Sequence, residues 1–167
     1  DDVSAFVDEM PGVEVEVVND LSCKIAHHLK LGELDLAIVQ RGIEPRQWPA
    51  EELFREPLRW ITSDQHRQHL LDTLPVTISP LPCEWRPPWL TECLWNGMAL
   101  RALGNGGRAY HVASRSLTTS GQLAMVMAGK AVMVSLETLE LPPGLRLVGQ
   151  DEGLPELPDA AFLMLRG

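Results

Sequence analysis

A chain of 167 residues with 45% hydrophobic residues, 23 Asp+Glu against 14 Lys+Arg and three cysteines has the composition of an ordinary folded domain. That excludes disordered, collagen-like and disulfide-scaffold classes. Apolar runs such as Leu36–Val39 and Ala131–Val134 fall far short of the roughly 20 residues of a spanning helix, and a net charge of −9 repels phosphate backbones.

Charge is unevenly spread. Residues 1–61 carry 13 acids and 6 bases, whereas residues 65–135 hold Asp72, Glu84 and Glu92 against Arg67, Arg86, Arg101, Arg108, Arg115 and Lys130. A positive middle segment in an acidic chain suits a small anion. Three cysteines without a CxxC pair suit a reducing compartment, so a cytoplasmic location is expected, and no secretory pattern opens the chain.

In chain order, Val13–Val18 alternates valine with glutamate, the period-two pattern of a strand with one wet face. Ser22 can cap a helix over about residues 22–31, with Leu21, Ile25 and Leu29 on one face and Gly32 as its left-handed end. The apolar run Leu34–Val39 predicts a strand covered on both faces, so residues 13–39 read as one βαβ unit with a right-handed crossover. A turn at Glu51–Phe54 and a strand at Leu58–Thr62 follow, then a solvated stretch over Ser63–Asp72.

Val76–Leu81 predicts a strand, residues 87–96 a helix with Gly97 behind it, and Tyr110–Ala113 another strand. Thr119-Ser120-Gly121-Gln122 matches a capping box ahead of a helix that stops at Gly129. Ala131–Leu136 completes a βαβαβ stretch, and Phe162–Leu165 is a final strand. The fold class is α/β, built from two Rossmann-like units.

The series Pro11-Gly12-Val13-Glu14-Val15, Leu31-Gly32-Glu33-Leu34-Asp35-Leu36-Ala37-Ile38, Leu58-Arg59-Trp60-Ile61, Cys83-Glu84-Trp85-Arg86, Ala128-Gly129-Lys130-Ala131-Val132 and Gly153-Leu154-Pro155-Glu156-Leu157-Pro158 resembles the effector-binding domain of LysR-type transcriptional regulators. The resemblance covers nearly the whole chain. It implies a fold like the type 2 periplasmic binding proteins, with two lobes joined by two crossover strands. Lobe I is expected over residues 1–57 with 160–167, lobe II over 62–158, and hinge strands over 58–62 and 161–165.

It further implies a small effector in the inter-lobe cleft, antiparallel dimers (tetramers in the full-length protein), and promoter binding through an N-terminal winged helix-turn-helix that nothing in this chain resembles. No cofactor, no membrane association and no enzymatic activity are expected.

In an open α/β sheet, ligands sit beyond the carboxyl ends of strands, where helix N-termini point N–H groups and positive partial charge at the crevice. Ser22, Gln40, Cys83 to Arg86, and Thr119 with Ser120 occupy such places, and the resemblance adds Asp2. The expected effector-binding residues are therefore Asp2, Ser22, Gln40, Cys83, Trp85, Arg86, Thr119 and Ser120. Ser22 and Thr119 serve equally well as helix caps. Arg86 can fork a carboxylate or phosphate, or pair at the surface with Glu84 or Glu92; Trp85 and Trp89 share a helical face that also suits core packing.

Cys83 and Cys93 are ten positions apart. Peroxide-sensing members of the family pair cysteines in this region, which makes redox sensing a lesser alternative to inert thiols. A solute-binding protein that serves a transporter is the alternative from another class. His66 and His69 have HxxH spacing without an accompanying carboxylate or cysteine cluster, so no metal is expected. No GxSxG, GxGxxG or GxxxxGK[ST] motif occurs, and Gly104-Asn105-Gly106-Gly107 reads as a plain turn.

Overall fold

The computed structural model describes residues 12–45, 47–81, 84, 90 and 93–167. Its elements in order are helix α1 (Ser22–Lys30), strands β1 (Leu36–Gln40), β2 (Ala50–Ser63) and β3 (Leu74–Ile78), helix α2 (Leu94–Asn105), strand β4 (Tyr110–Arg115), helix α3 (Thr119–Met127), and strands β5 (Met133–Leu136), β6 (Leu145–Val148) and β7 (Asp159–Arg166). Short 3-10 turns lie at Gln68–Leu70 and Gln150–Glu152.

β7 lies between β1 and β2 and is antiparallel to both. It faces residues 50–57 of β2; the remainder of that strand pairs antiparallel with β5 through Leu58–Ile61 and with β6 through Trp60–Ser63. β2 therefore passes through two sheet regions. β3 and β4 run parallel, and Val132 joins the other side of β3 through a parallel bridge to Val76. The expected βαβαβ stretch is present, with β3 in its centre.

One apolar cluster gathers Leu58, Trp60, Leu74, Val76, Ala99, Leu103, Val132 and Leu154 beneath α2. A second joins Cys23, Ile25, Ala26 and Leu29 of α1 to Ala37, Val39, Leu163 and Leu165 of the first sheet. Leu81, Leu90 and Leu94 also belong to this second cluster, so these three side chains pack on the core of the first sheet. Each fully buried leucine contributes roughly 1.5–3 kcal/mol by leaving water.

Several expectations are corrected. Val13–Val18 has no regular secondary structure and is exposed throughout. Alternation makes a strand only where a neighbour takes up its backbone groups, and none does so among the described residues. β1 is covered on one face only, with Leu36 and Ile38 exposed, and its partner is the distant β7 rather than a crossover neighbour within residues 13–39. Glu51–Phe54 is strand, with a bulge between Glu52 and Phe54.

The helix expected to end before Gly97 runs from Leu94 to Asn105. The inward residues Ala99 and Leu103 outweigh the ~1 kcal/mol propensity cost of an interior glycine; residues 87–89, 91 and 92 lie outside the described residues. Finally, the stretch 63–72 is not uniformly solvated, because Gln68 and His69 are buried.

Candidate ligand cleft

The first candidate group lies where β1 ends and α1 begins. Leu21 is the N-cap residue of α1 and makes no side-chain cap, so Ser22 is the first helical residue and not the expected cap. Asp20 stands in front of it, accepting the Leu21 N–H at 2.8 Å and pairing with Lys24 at 2.5 Å. These two contacts, Lys24 foremost, hold its carboxyl below the ordinary range. The Ser22 hydroxyl is thereby released from capping and accepts the backbone N–H of Gln40 at 3.3 Å. Gln40 is 8% exposed, and its side-chain Nε2 is buried without a protein acceptor.

The second group lies where β3 and β4 end and α3 begins. The Ser116 N–H donates to the Ile78 carbonyl at 3.0 Å, Asn96 Nδ2 donates to the Ser79 carbonyl at 2.8 Å, and the Ser114 hydroxyl donates to Thr77 Oγ1 at 2.7 Å. The cap of α3 is Thr118, one residue before the expected Thr119. Its Oγ1 accepts the Gly121 N–H at 3.2 Å and the Ser120 hydroxyl at 3.3 Å, while Gln122 Nε2 donates to the Ser116 carbonyl at 3.0 Å. Thr119 and Ser120 are exposed in the first turn, where the helix dipole favours negative charge.

The structure thus brings Ser22 and Gln40 together, and Thr119 and Ser120 together. No hydrogen bond joins the two groups among the described residues. Asp2, Cys83, Trp85 and Arg86 lie outside the described residues. Sequence reasoning missed Thr118 and Ser116; the Ser116-Leu117-Thr118 spacing ahead of the helix was the available signal. Cys93 is the N-cap residue of α2, and the buried Cys23 thiol is pushed up first by burial and in smaller part by the charges of Asp20 and Cys93.

Chemically, both groups offer neutral hydroxyl and N–H donors. Among the described residues no cluster of His, Cys, Asp and Glu is placed to hold a metal ion. An apolar space of about 10 Å³ below the end of β3, lined in part by Trp60, Thr77 and Asn96, has room for about one water. A separate open groove of about 700 Å³ runs between α2 and residues 155–158 beside Met98, Arg101, Asn105 and Glu156; it shares none of the expected residues. No helix among the described residues is long and apolar enough to cross a membrane.

Residues 3–160 match the LysR substrate binding domain. The HTH-type transcriptional regulator DgdR of Burkholderia cepacia is 29% identical over 154 residues, covering 92% of this chain and 48% of that protein. The chain spans about half the length of the curated relatives it matches.

Among solved structures, the C-terminal domain of a probable LysR family transcriptional regulator from Rhodococcus sp. RHA1 superposes with a TM-score of 0.70 at 19% identity, covering 98% of this chain and 80% of that one. The Synechocystis CcmR regulatory domain in complex with 2-PG gives 0.69 at 14% identity, with 98% and 78% covered.

Proposed function

Because this chain belongs to the LysR substrate binding domain family, we propose that it is the ligand-sensing regulatory domain of a bacterial cytoplasmic transcription factor, holding a small anionic effector between two lobes. Lobe I comprises residues 1–57 with 160–167, lobe II residues 62–158, and the linking strands 58–62 and 161–165. Its work is binding, not catalysis. Self-association into dimers and promoter contact through an N-terminal DNA-binding domain complete the proposal.

The observation that carries this reading is the buried Gln40 amide beside Ser22, with an Nε2 donor that no protein group satisfies. An unsatisfied buried donor costs about 1–3 kcal/mol, and a ligand oxygen would remove that cost. The N-terminus of α3, with Thr119 and Ser120, supplies further donors, and Asp2, Cys83, Trp85 and Arg86 are the other lining residues proposed. Switching follows only if the effector binds one relative tilt of the lobes better than another, since equal affinity for both shifts nothing.

Thermal-shift screening against a metabolite panel, followed by calorimetry on wild type, Arg86→Ala, Gln40→Ala and Ser120→Ala, tests the site. Losing a charge-assisted hydrogen bond costs about 1.5–3 kcal/mol, so Arg86→Ala should weaken effector binding by roughly ten- to a hundredfold. Unchanged affinity in all three variants would place the ligand elsewhere. An effector that binds tightly yet leaves promoter binding by the full-length protein untouched would remove the switching claim and keep the pocket.

A further inference from the structure

Segment 64–72 carries a histidine closed to water at the meeting point of several elements. The His69 side chain is fully buried. Thr62 Oγ1 of β2 lies 3.1 Å from its Nδ1, and Glu152 Oε2, in the turn after β6, lies 3.0 Å from its Nε2. With the proton on Nε2, the neutral ring donates to Glu152 and accepts from the Thr62 hydroxyl, so both contacts are satisfied without charge on the ring.

The surroundings resist a further positive charge. Arg146 of β6 grips Glu152 with two contacts of 2.5 Å and reaches Asp64 at 2.8 Å, so Glu152 already has a cation. Arg67, on the same segment, adds another positive charge toward His69. Arg108, just before β4, donates to the His69 carbonyl at 2.9 Å and to that of Leu71 at 2.5 Å. Two guanidinium groups, those of Arg146 and Arg67, thus act on the ring against the carboxylate of Glu152, while Arg108 holds the backbone of the segment.

We propose that His69 is a proton-sensitive latch: as a neutral ring it locks segment 64–72 across β2, β6 and the start of β4, and a proton releases it. Burial holds its imidazole below the ordinary value of 6.5, against the opposing pull of Glu152. Once the segment opens, the ring takes up a proton at its ordinary value. Closure is therefore fully favoured above about pH 6.5 and weakens as pH falls through the window between 6.5 and the depressed value. Release also reaches α3, because Gln68 Nε2 donates to the Gly129 carbonyl and the His66 ring packs against Gly129, where the helix ends. The latch does not depend on the identity of the effector.

Hydrogen–deuterium exchange on the full chain, corrected for the intrinsic pH dependence of exchange, tests this. Protection of residues 64–72 should fall by up to about tenfold per pH unit below 6.5, while residues 74–78 of β3 keep theirs. His69→Gln retains an Nε2 donor toward Glu152 and cannot titrate, so its protection should be flat with pH. Wild-type protection that does not change between pH 7.5 and 5.5, or an equal fall in His69→Gln, overturns the latch. Should the variant not fold, NMR titration of the wild-type ring decides: a midpoint below 6.5 supports the latch, and one at or above 6.5 overturns it.

Discussion

β1 and β3 are both short apolar strands, Leu36-Ala37-Ile38-Val39-Gln40 and Leu74-Pro75-Val76-Thr77-Ile78, yet they sit in different surroundings. β3 has β4 on one side and Val132 on the other, and its first four residues are all buried. β1 has β7 on one side and α1 against one face, with Leu36 and Ile38 about half exposed on the other. An apolar run therefore reports that a strand is wanted, not how many neighbours it will have. Burial is set by elements far away in the sequence.

The largest test of this contrast is truncation at matching positions. Leu74→Ala should lower unfolding free energy by about 2–5 kcal/mol, whereas Leu36→Ala should cost under ~1 kcal/mol, because it removes a half-exposed side chain. Urea denaturation at constant m-value measures both, and equal losses would erase the distinction between the two strands.

Glycines sharpen it next. Gly32 and Gly129 both have left-handed backbones, with φ of 72° and 66°. A Cβ at Gly32 meets open space, while one at Gly129 collides with the His66 ring. Gly32→Ala should cost roughly 1–2 kcal/mol for backbone strain alone, and Gly129→Ala more than that. Equal shifts in Tm would show that the second site yields without resistance.

Helix starts give a smaller difference. Thr118→Ala removes a working cap and should cost about 1 kcal/mol. Ser22→Ala removes no cap but takes the 3.3 Å acceptor from the Gln40 N–H, so its cost of about 1 kcal/mol should appear as lost amide protection at Gln40 and leave the start of α1 unchanged. The last effect needs acid. Arg146, and after it His69, hold the Glu152 carboxyl down to about 2. Its contribution is complete above about pH 4.5 and is lost as pH falls toward 2. Glu152→Gln should flatten that limb of the stability profile, and an unaltered profile would show the pairing to be fully screened.

The positions of α1, β3, β4, α3 and β7 were legible because each carries its own periodicity and end signals. Gly32 and Gly129 stand with positive φ just past α1 and α3. The first half of β2 was not legible: Glu51, Glu52, Arg55, Glu56 and Pro57 show no apolar alternation, and they become strand because β7 supplies their partners from about a hundred residues away. His69 was misread for the same reason, since Thr62, Arg146 and Glu152 meet around it only in three dimensions. At the candidate cleft, the places of Ser22 at the start of α1 and Gln40 at the end of β1 were legible, but their contact was not, because the strand expected over Val13–Val18 does not form. Which hydroxyl caps α3 depended on a one-residue offset that end-signal rules do not resolve.

β7 occupies the centre of its sheet although it is the last strand in the chain. During synthesis, β1 and β2 leave the ribosome long before residues 159–166, and until those arrive the two strands have no middle partner. β3, α2, β4 and α3 meet no such delay, because their contacts lie within one continuous stretch and close short loops. The N-terminal sheet is thus completed after the middle of the chain. A product terminated before Asp159 would leave the edges of β1 and β2 facing an open slot, and unpaired edges of this kind recruit strands from other molecules.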